Sequence, residues 1–117
     1  MDRSAFLKEL KATFPNLREA VNAQQGLLCF ELGELREFTQ QAISHGERET
    51  VAQAFALVTR FYTQAKPKLQ NMIDVCFVED LEFDKRQRWA WELLPDVLQS
   101  LYTAFHGKAG SSSSRHG

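Results

Sequence analysis

Carboxylates are the side chains of this 117-residue chain whose spacing comes nearest to a chemical site. Glu31, Glu34 and Glu37 follow one another at i, i+3 and i+6, and carboxylates three residues apart lie on the same side of a helix. Such a row could bind a cation or a basic partner, although Arg36 lies beside it and a solvated helix face explains the same pattern. A di-iron site would need Glu-x-x-His pairs on facing helices, which the sequence lacks.

A second group of carboxylates occupies a stretch that contains five acids and no base. These are Asp74, Glu79, Asp80, Glu82 and Asp84. Lys85, Arg86 and Arg88 follow directly. An acidic stretch beside a basic one is typical of a solvated helix end or loop, but an acidic surface also steers a basic protein into fast association.

No pattern in the sequence indicates catalysis, a metal or a cofactor. His45, His106 and His116 are isolated, without HxxxH, HExxH or CxxC spacing. Neither cysteine has a plausible histidine partner beside it, and no GxSxG, GxGxxG or P-loop segment occurs. The prediction is therefore a protein that is not an enzyme and that has no metal site and no cofactor.

The segment Trp89-Ala90-Trp91 is the main aromatic feature. Residues i and i+2 of a helix point about 200° apart, so the two indoles cannot share one face. We expect one indole in the core and the other partly exposed; a connection that covers both is the alternative. An exposed Trp beside Arg86 and Arg88 has the composition of an interface hot spot, and we assign that role to Trp91.

Composition indicates one globular domain in the cytoplasm. Fourteen Lys and Arg face fifteen Asp and Glu, a net charge of −1 that argues against a nucleic-acid partner. No run of about 18 apolar residues predicts a membrane span, and the first residues are too polar for a signal core. Cys29 and Cys76 lie in apolar runs. They could form one disulfide, but reduced, buried thiols are the expectation.

Apolar periodicity, prolines and glycines predict an all-α fold of about six or seven helices. Pro15 ends the first helix, and Gly46 follows the third at a position that commonly terminates helices. The stretch 75–78 could be a strand, but no neighbouring segment offers a partner, so a helix is preferred. Short connections predict a single-domain bundle or orthogonal array over residues 1–106. A Gly/Ser-rich flexible tail, 107–117, is excluded from the fold.

Several segments together resemble a bacterial family of small all-helical proteins. The resemblance covers about residues 5–106 and is carried by Phe14-Pro15-Asn16-Leu17, Glu31-Leu32-Gly33, Thr39-Gln40-Gln41-Ala42-Ile43, Val78-Glu79-Asp80-Leu81 with Phe83, and Leu94-Pro95. Proteins of this kind are similar to the immunity-type partners of polymorphic toxins, which neutralise a toxin by binding it. The resemblance implies binding and transfers no catalytic residue.

Two functional hypotheses follow, with the partner's identity and the oligomeric state left open. The first is an immunity-type protein that binds and occludes a cognate protein, such as a toxin domain with a basic cleft. Its predicted surface consists of Glu31, Glu34, Glu37, Glu79, Asp80, Glu82, Asp84 and Trp91. The second is a self-associating scaffold or regulatory helical domain. A remote third reading is a small-ligand pocket among Phe55, Phe77 and Trp89.

Overall fold

The computed structural model describes residues 2–107, and this part of the chain folds into seven α-helices with no strand. They are α1 (Arg3–Thr13), α2 (Arg18–Asn22), α3 (Leu28–Ser44), α4 (Arg48–Gln64), α5 (Pro67–Ile73), α6 (Arg88–Leu93) and α7 (Asp96–His106). Short 3₁₀ turns at Pro15–Leu17 and Lys85–Gln87 precede α2 and α6, and a π-helical turn, Asp74–Val78, continues α5. The predicted all-α class is confirmed, and the stretch weighed as a strand is helical.

Local sequence signals set the ends of the helices. The Asp2 carboxylate caps α1 by accepting from the backbone N–H of Ala5 at 2.9 Å. Gly46 ends α3 in a left-handed conformation (φ 71°), and the Glu47 N–H donates to the Ala42 carbonyl at 2.9 Å. That pattern is a Schellman motif, in which glycine avoids the cost that a Cβ would impose at positive φ.

The core is built around α4, which packs against α1, α3, α5 and α6. Its stripe includes Phe55, Val58 and Phe61, all fully buried, and the Phe61 ring stacks on the Phe6 ring of α1 with centroids 4.2 Å apart. Four phenylalanines with no solvent exposure lie in this core: Phe6, Phe55, Phe61 and Phe77. Burying a side chain of this size stabilises the fold by roughly 2 kcal/mol, so aromatic burial is a main source of stability.

The two cysteines form a disulfide, so the expectation of reduced, buried thiols is wrong. Cys29 and Cys76 are 47 residues apart in sequence, and their Cα atoms lie 5.4 Å apart, a spacing that permits the bond. Leu28 and Leu32 occupy the buried stripe of α3, which leaves Cys29 exposed in the first turn. Cys76 is buried in the π turn, which packs against α3. The disulfide therefore ties the start of α3 to the π turn.

Two further sequence expectations concern the chain end and the membrane. Gly107 ends α7 in a left-handed conformation, and residues 108–117 of the predicted tail lie outside the described residues. Over residues 2–107, no helix has the length and apolar character that crossing a membrane requires.

Candidate protein-binding site

The structure separates Glu31 from the predicted acidic surface. Its side chain is only 3% exposed and accepts two hydrogen bonds from Arg3, at 3.2 Å from Nε and 2.9 Å from Nη2. Each step of three residues turns a helix by about −60°, so a row spaced i, i+3, i+6 winds around the helix by about 120°. Glu31 therefore faces α1 and serves as a structural carboxylate, which corrects its assignment to the partner surface.

Glu34 and Glu37 also differ from each other in burial and in hydrogen bonding. Glu34 is half-buried and accepts a hydrogen bond from Gln24 Nε2 at 2.8 Å, so it helps to hold the loop before α3. Glu37 is exposed and lies one helical turn before Gln40. Of the three carboxylates on α3, only Glu37 is free to form part of a binding surface.

The connection 79–84 carries most of the remaining predicted residues and is attached to α3 by Gln40. The Gln40 Oε1 atom accepts from the backbone N–H of Glu82 at 2.9 Å, and Gln40 Nε2 donates to the Glu82 carbonyl at 2.8 Å. Leu81 is buried beneath the connection, while the side chains of Asp80 and Glu82 are exposed. A glutamine whose side-chain amide bonds both the N–H and the C=O of one distant residue leaves no pattern in the sequence. The sequence therefore did not indicate a role for Gln40.

Asp84 lies at the end of this connection and is partly neutralised. Its Oδ1 atom accepts from the Arg86 backbone N–H at 2.7 Å, and Oδ2 accepts from Arg86 Nη2 at 3.1 Å. These hydrogen bonds from Arg86 lower the pKa of the Asp84 carboxyl. Because Arg86 balances its charge, Asp84 contributes less to the local negative potential than Asp80 and Glu82.

An aromatic cluster supports the connection from the side of α6 and α7. The rings of Phe83, Trp91 and Tyr102 lie pairwise 5.3–5.4 Å apart, edge to face. His106 stacks on Tyr102 at 3.9 Å and donates from Nε2 to the Glu79 carbonyl at 2.9 Å. Burial, and secondarily the charge of Glu82, raises the pKa of the Tyr102 hydroxyl. The half-buried Trp91 thus lies beside the acidic connection.

Both tryptophans are half-buried, so the expected division into one core and one exposed indole is wrong. The Arg48 guanidinium lies 4.8 Å from the centroid of the Trp89 ring, a cation–π contact that covers part of it. Trp91 is covered by Phe83 and Tyr102 instead. The alternative weighed from sequence, a connection that covers both indoles, holds only for Trp91, which Phe83 of the connection contacts, whereas Trp89 is covered from α4.

Asp74 is the remaining acid of the stretch 74–84. It begins the π turn and is not part of the predicted acidic surface. Its Oδ1 atom is buried and has no hydrogen-bond partner among the described residues. Burial raises the pKa of this carboxyl above 3.8. The residue as a whole is only partly buried, so water reaches part of the carboxyl and limits the cost of its charge.

Replacing Asp74 by Asn is expected to raise the free energy of unfolding at neutral pH by up to about 1 kcal/mol. The folded state binds the Asp74 proton more tightly than the unfolded state, so wild-type stability falls as pH rises from about 3.8 through the raised pKa. The gain from Asp74→Asn should therefore be larger near pH 7 than near pH 3.5 in urea unfolding. Asp80→Asn, at an exposed position, is the control; an equal effect of Asp74→Asn at both pH values contradicts the assignment.

Two other kinds of site considered from the sequence, a small-ligand pocket and a metal site, are not found in the described residues. Phe55 and Phe77 have no solvent exposure and fill the core where a ligand pocket was considered. Across residues 2–107, no three His, Cys, Asp or Glu side chains converge as a metal site would require. An open cleft of about 470 Å³ adjoins the acidic connection and is lined by Gln40, Ser44, Glu82, Phe83, Asp84, Arg86 and Gln87.

The fold and the site define an all-α domain that presents one acidic connection against an aromatic cluster. The chain belongs to the family described as Domain of unknown function (DUF7674), whose model matches residues 7–107. No curated protein and no solved structure matches the chain significantly.

Proposed function

We propose that this domain is a non-catalytic binding protein of the immunity type, which neutralises a cognate toxin in the cytoplasm by occluding it. Its binding surface, the acidic–aromatic face, consists of the exposed acids Asp80, Glu82 and Asp84 and the half-buried Glu79 and Trp91, with the exposed Glu37 at its edge. The observation that carries the proposal is the attachment of this connection to α3 through both hydrogen bonds of Gln40. A surface fixed before binding loses little conformational entropy on association.

The chemistry of the face suits a basic protein partner. Asp80 and Glu82 are exposed acids, and acidic patches accelerate association with basic surfaces while fixing its orientation. Toxins that act on nucleic acids or nucleotides need basic clefts, which are complementary to such a face. Trp91 offers a large, partly exposed ring of the kind that concentrates binding energy at interfaces. The resemblance to immunity-type proteins that the sequence segments suggest is a further reason for this proposal.

Charge reversal of the face is expected to abolish capture of the partner. Asp80→Lys/Glu82→Lys replaces two exposed carboxylates and leaves the backbone bonds to Gln40 available. Wild-type protein should retain one stoichiometric partner from the native host, and the double variant should lose it. Glu19→Lys is the control. Glu19 is exposed, but it lies on α2, which packs against α3 and the first 3₁₀ turn and contributes no residue to the acidic–aromatic face. A partner that both variants retain would exclude the face as its binding site.

Self-association is a second candidate, favoured by a different observation. Leu27, Phe30 and Val75 are 57%, 59% and 44% exposed, and Phe30 and Val75 are the chain neighbours of the two bonded cysteines. Apolar side chains grouped on a surface commonly mark an interface. Light scattering at increasing concentration separates the candidates: a monomer excludes self-association, whereas a dimer that Phe30→Ser dissociates would support it.

A further inference from the structure

The Cys29–Cys76 disulfide is chemically asymmetric. Cys29 is exposed in the first turn of α3, whereas Cys76 is 8% exposed within the π turn. A thiolate must reach one sulfur directly to break a disulfide, and access decides which sulfur is attacked. A thiol from solvent is therefore expected to attack Cys29 more readily than Cys76, which makes Cys76 the leaving group.

The surroundings of the disulfide favour an anionic thiol. Both cysteines line an open cleft of about 370 Å³, together with Lys68, Asn71, Met72 and Val75. Lys68 supplies a positive charge, and the N-terminus of the 17-residue α3 adds a partial one. The only acid in that first helical turn, Glu31, is already paired with Arg3. The cleft is large enough for a small peptide thiol, and its positive charge is complementary to an anionic thiol.

We propose that Cys29 is a thiol–disulfide exchange site for a small anionic thiol of the glutathione class. The thiolate attacks Cys29 Sγ, a new disulfide forms between the two sulfurs, and the Cys29–Cys76 bond breaks. The electron pair of that bond leaves on Cys76 Sγ, which takes up a proton from water. The products are a mixed disulfide at Cys29 and a free thiol at Cys76, with no net oxidation or reduction.

Cys76 also provides the reverse reaction. Its thiolate can attack the Cys29 sulfur of the mixed disulfide, expel the small thiolate and restore the original bond. The exchange breaks the covalent tie between α3 and the π turn. Ile73, which directly precedes that turn, and Phe77 within it are buried in the disulfide-bonded structure. The inference is independent of the proposed function, because it rests on the disulfide and its cleft alone.

The first test uses the wild-type full chain. Reduced glutathione is added to the oxidised protein under native conditions, the reaction is quenched with acid, and the adduct is located by peptide mass spectrometry. The expected product carries one glutathione on Cys29, faster than on Cys76 by an order of magnitude or more. An adduct mainly on Cys76, or no adduct unless the protein is unfolded, would overturn the proposal.

Lys68→Glu tests the charge of the cleft. The rate with glutathione should fall about 25-fold, since the substitution changes the charge near the sulfurs by two units, each worth about fivefold in water; the rate with 2-mercaptoethanol, whose thiolate carries no further charge, should fall less. Lys66→Glu is the matched control, because Lys66 does not line the cleft. Equal losses with both thiols would show that Lys68 acts on the fold and would contradict the assigned specificity.

Discussion

Reducing the Cys29–Cys76 disulfide is expected to lower the free energy of unfolding by about 4 kcal/mol. The bond closes a loop of 47 residues, and the loss of chain entropy in the unfolded state grows with the logarithm of loop length, which gives about 4 kcal/mol for a loop of this size. That is a large share of the roughly 5–15 kcal/mol by which a domain is stable. Its removal should therefore be visible in any equilibrium unfolding experiment.

Urea unfolding with and without a reductant measures this effect, and Cys29→Ala/Cys76→Ala reports it independently of the reagent. The slope of the free energy against urea should also increase, because an unfolded chain without the cross-link exposes more surface. Reductant added to the double variant is the control and should have no effect. A loss below about 1 kcal/mol would mean that contacts of α3 with the π turn already confine the loop in the unfolded state.

Replacing Arg3 by Met is expected to cost about 3 kcal/mol. The substitution leaves the Glu31 carboxylate, 3% exposed, without the cation that compensates its burial, and breaking such a pair from one side typically costs about 3–5 kcal/mol. Met retains much of the apolar length of Arg, so the loss reports the charge more than the packing. The value should lie at the low end because Arg3 itself is 37% exposed.

A second ion pair between distant elements supplies the control. Arg60 and Glu9 form a pair whose side chains are 49% and 40% exposed, so Arg60→Met should cost less than about 1 kcal/mol. Adding Glu31→Gln to Arg3→Met should recover part of the loss, because a neutral amide is easier to bury. Equal costs for Arg3→Met and Arg60→Met in urea unfolding would show that the burial of Glu31 is not energetically important.

The sequence was sufficient for the elements and much of the core. Pro15 and Gly46 mark helix ends through backbone geometry that depends on those residues alone. The apolar stripe of α4, with Phe55, Val58 and Phe61, is buried as its spacing requires. These features are local or periodic, so one-dimensional reasoning can find them.

The site was only partly predictable, because it depends on which faces of separate helices meet. The spacing of Glu31, Glu34 and Glu37 looked like one row, yet the winding of the helix sends Glu31 to Arg3 and leaves Glu37 in solvent. Gln40 could have bonded any backbone within reach. Its partner Glu82 lies 42 residues further along the chain, and no local sequence pattern indicates such a pair.

The sequence contained one indication of the disulfide, the position of Cys29 on its helix, but the apolar neighbours of both cysteines obscured it. Cys29 lies about 100° around α3 from the buried Leu28, so it was never part of the stripe that faces the core. Cys76 was read as one apolar residue among several, although its position on the π turn points it at α3. Hydrophobic neighbours in sequence therefore predicted burial correctly for Cys76 and wrongly for Cys29.

The central claim, recognition through the acidic–aromatic face, is tested most directly by the rate of association with the captured partner at several salt concentrations. The account predicts a wild-type rate that falls steeply with ionic strength, because salt screens exposed charges. For Asp80→Lys/Glu82→Lys the rate should be at least about tenfold lower at low salt, and for Glu19→Lys it should match wild type. A rate that salt and the double reversal both leave unchanged would contradict the account.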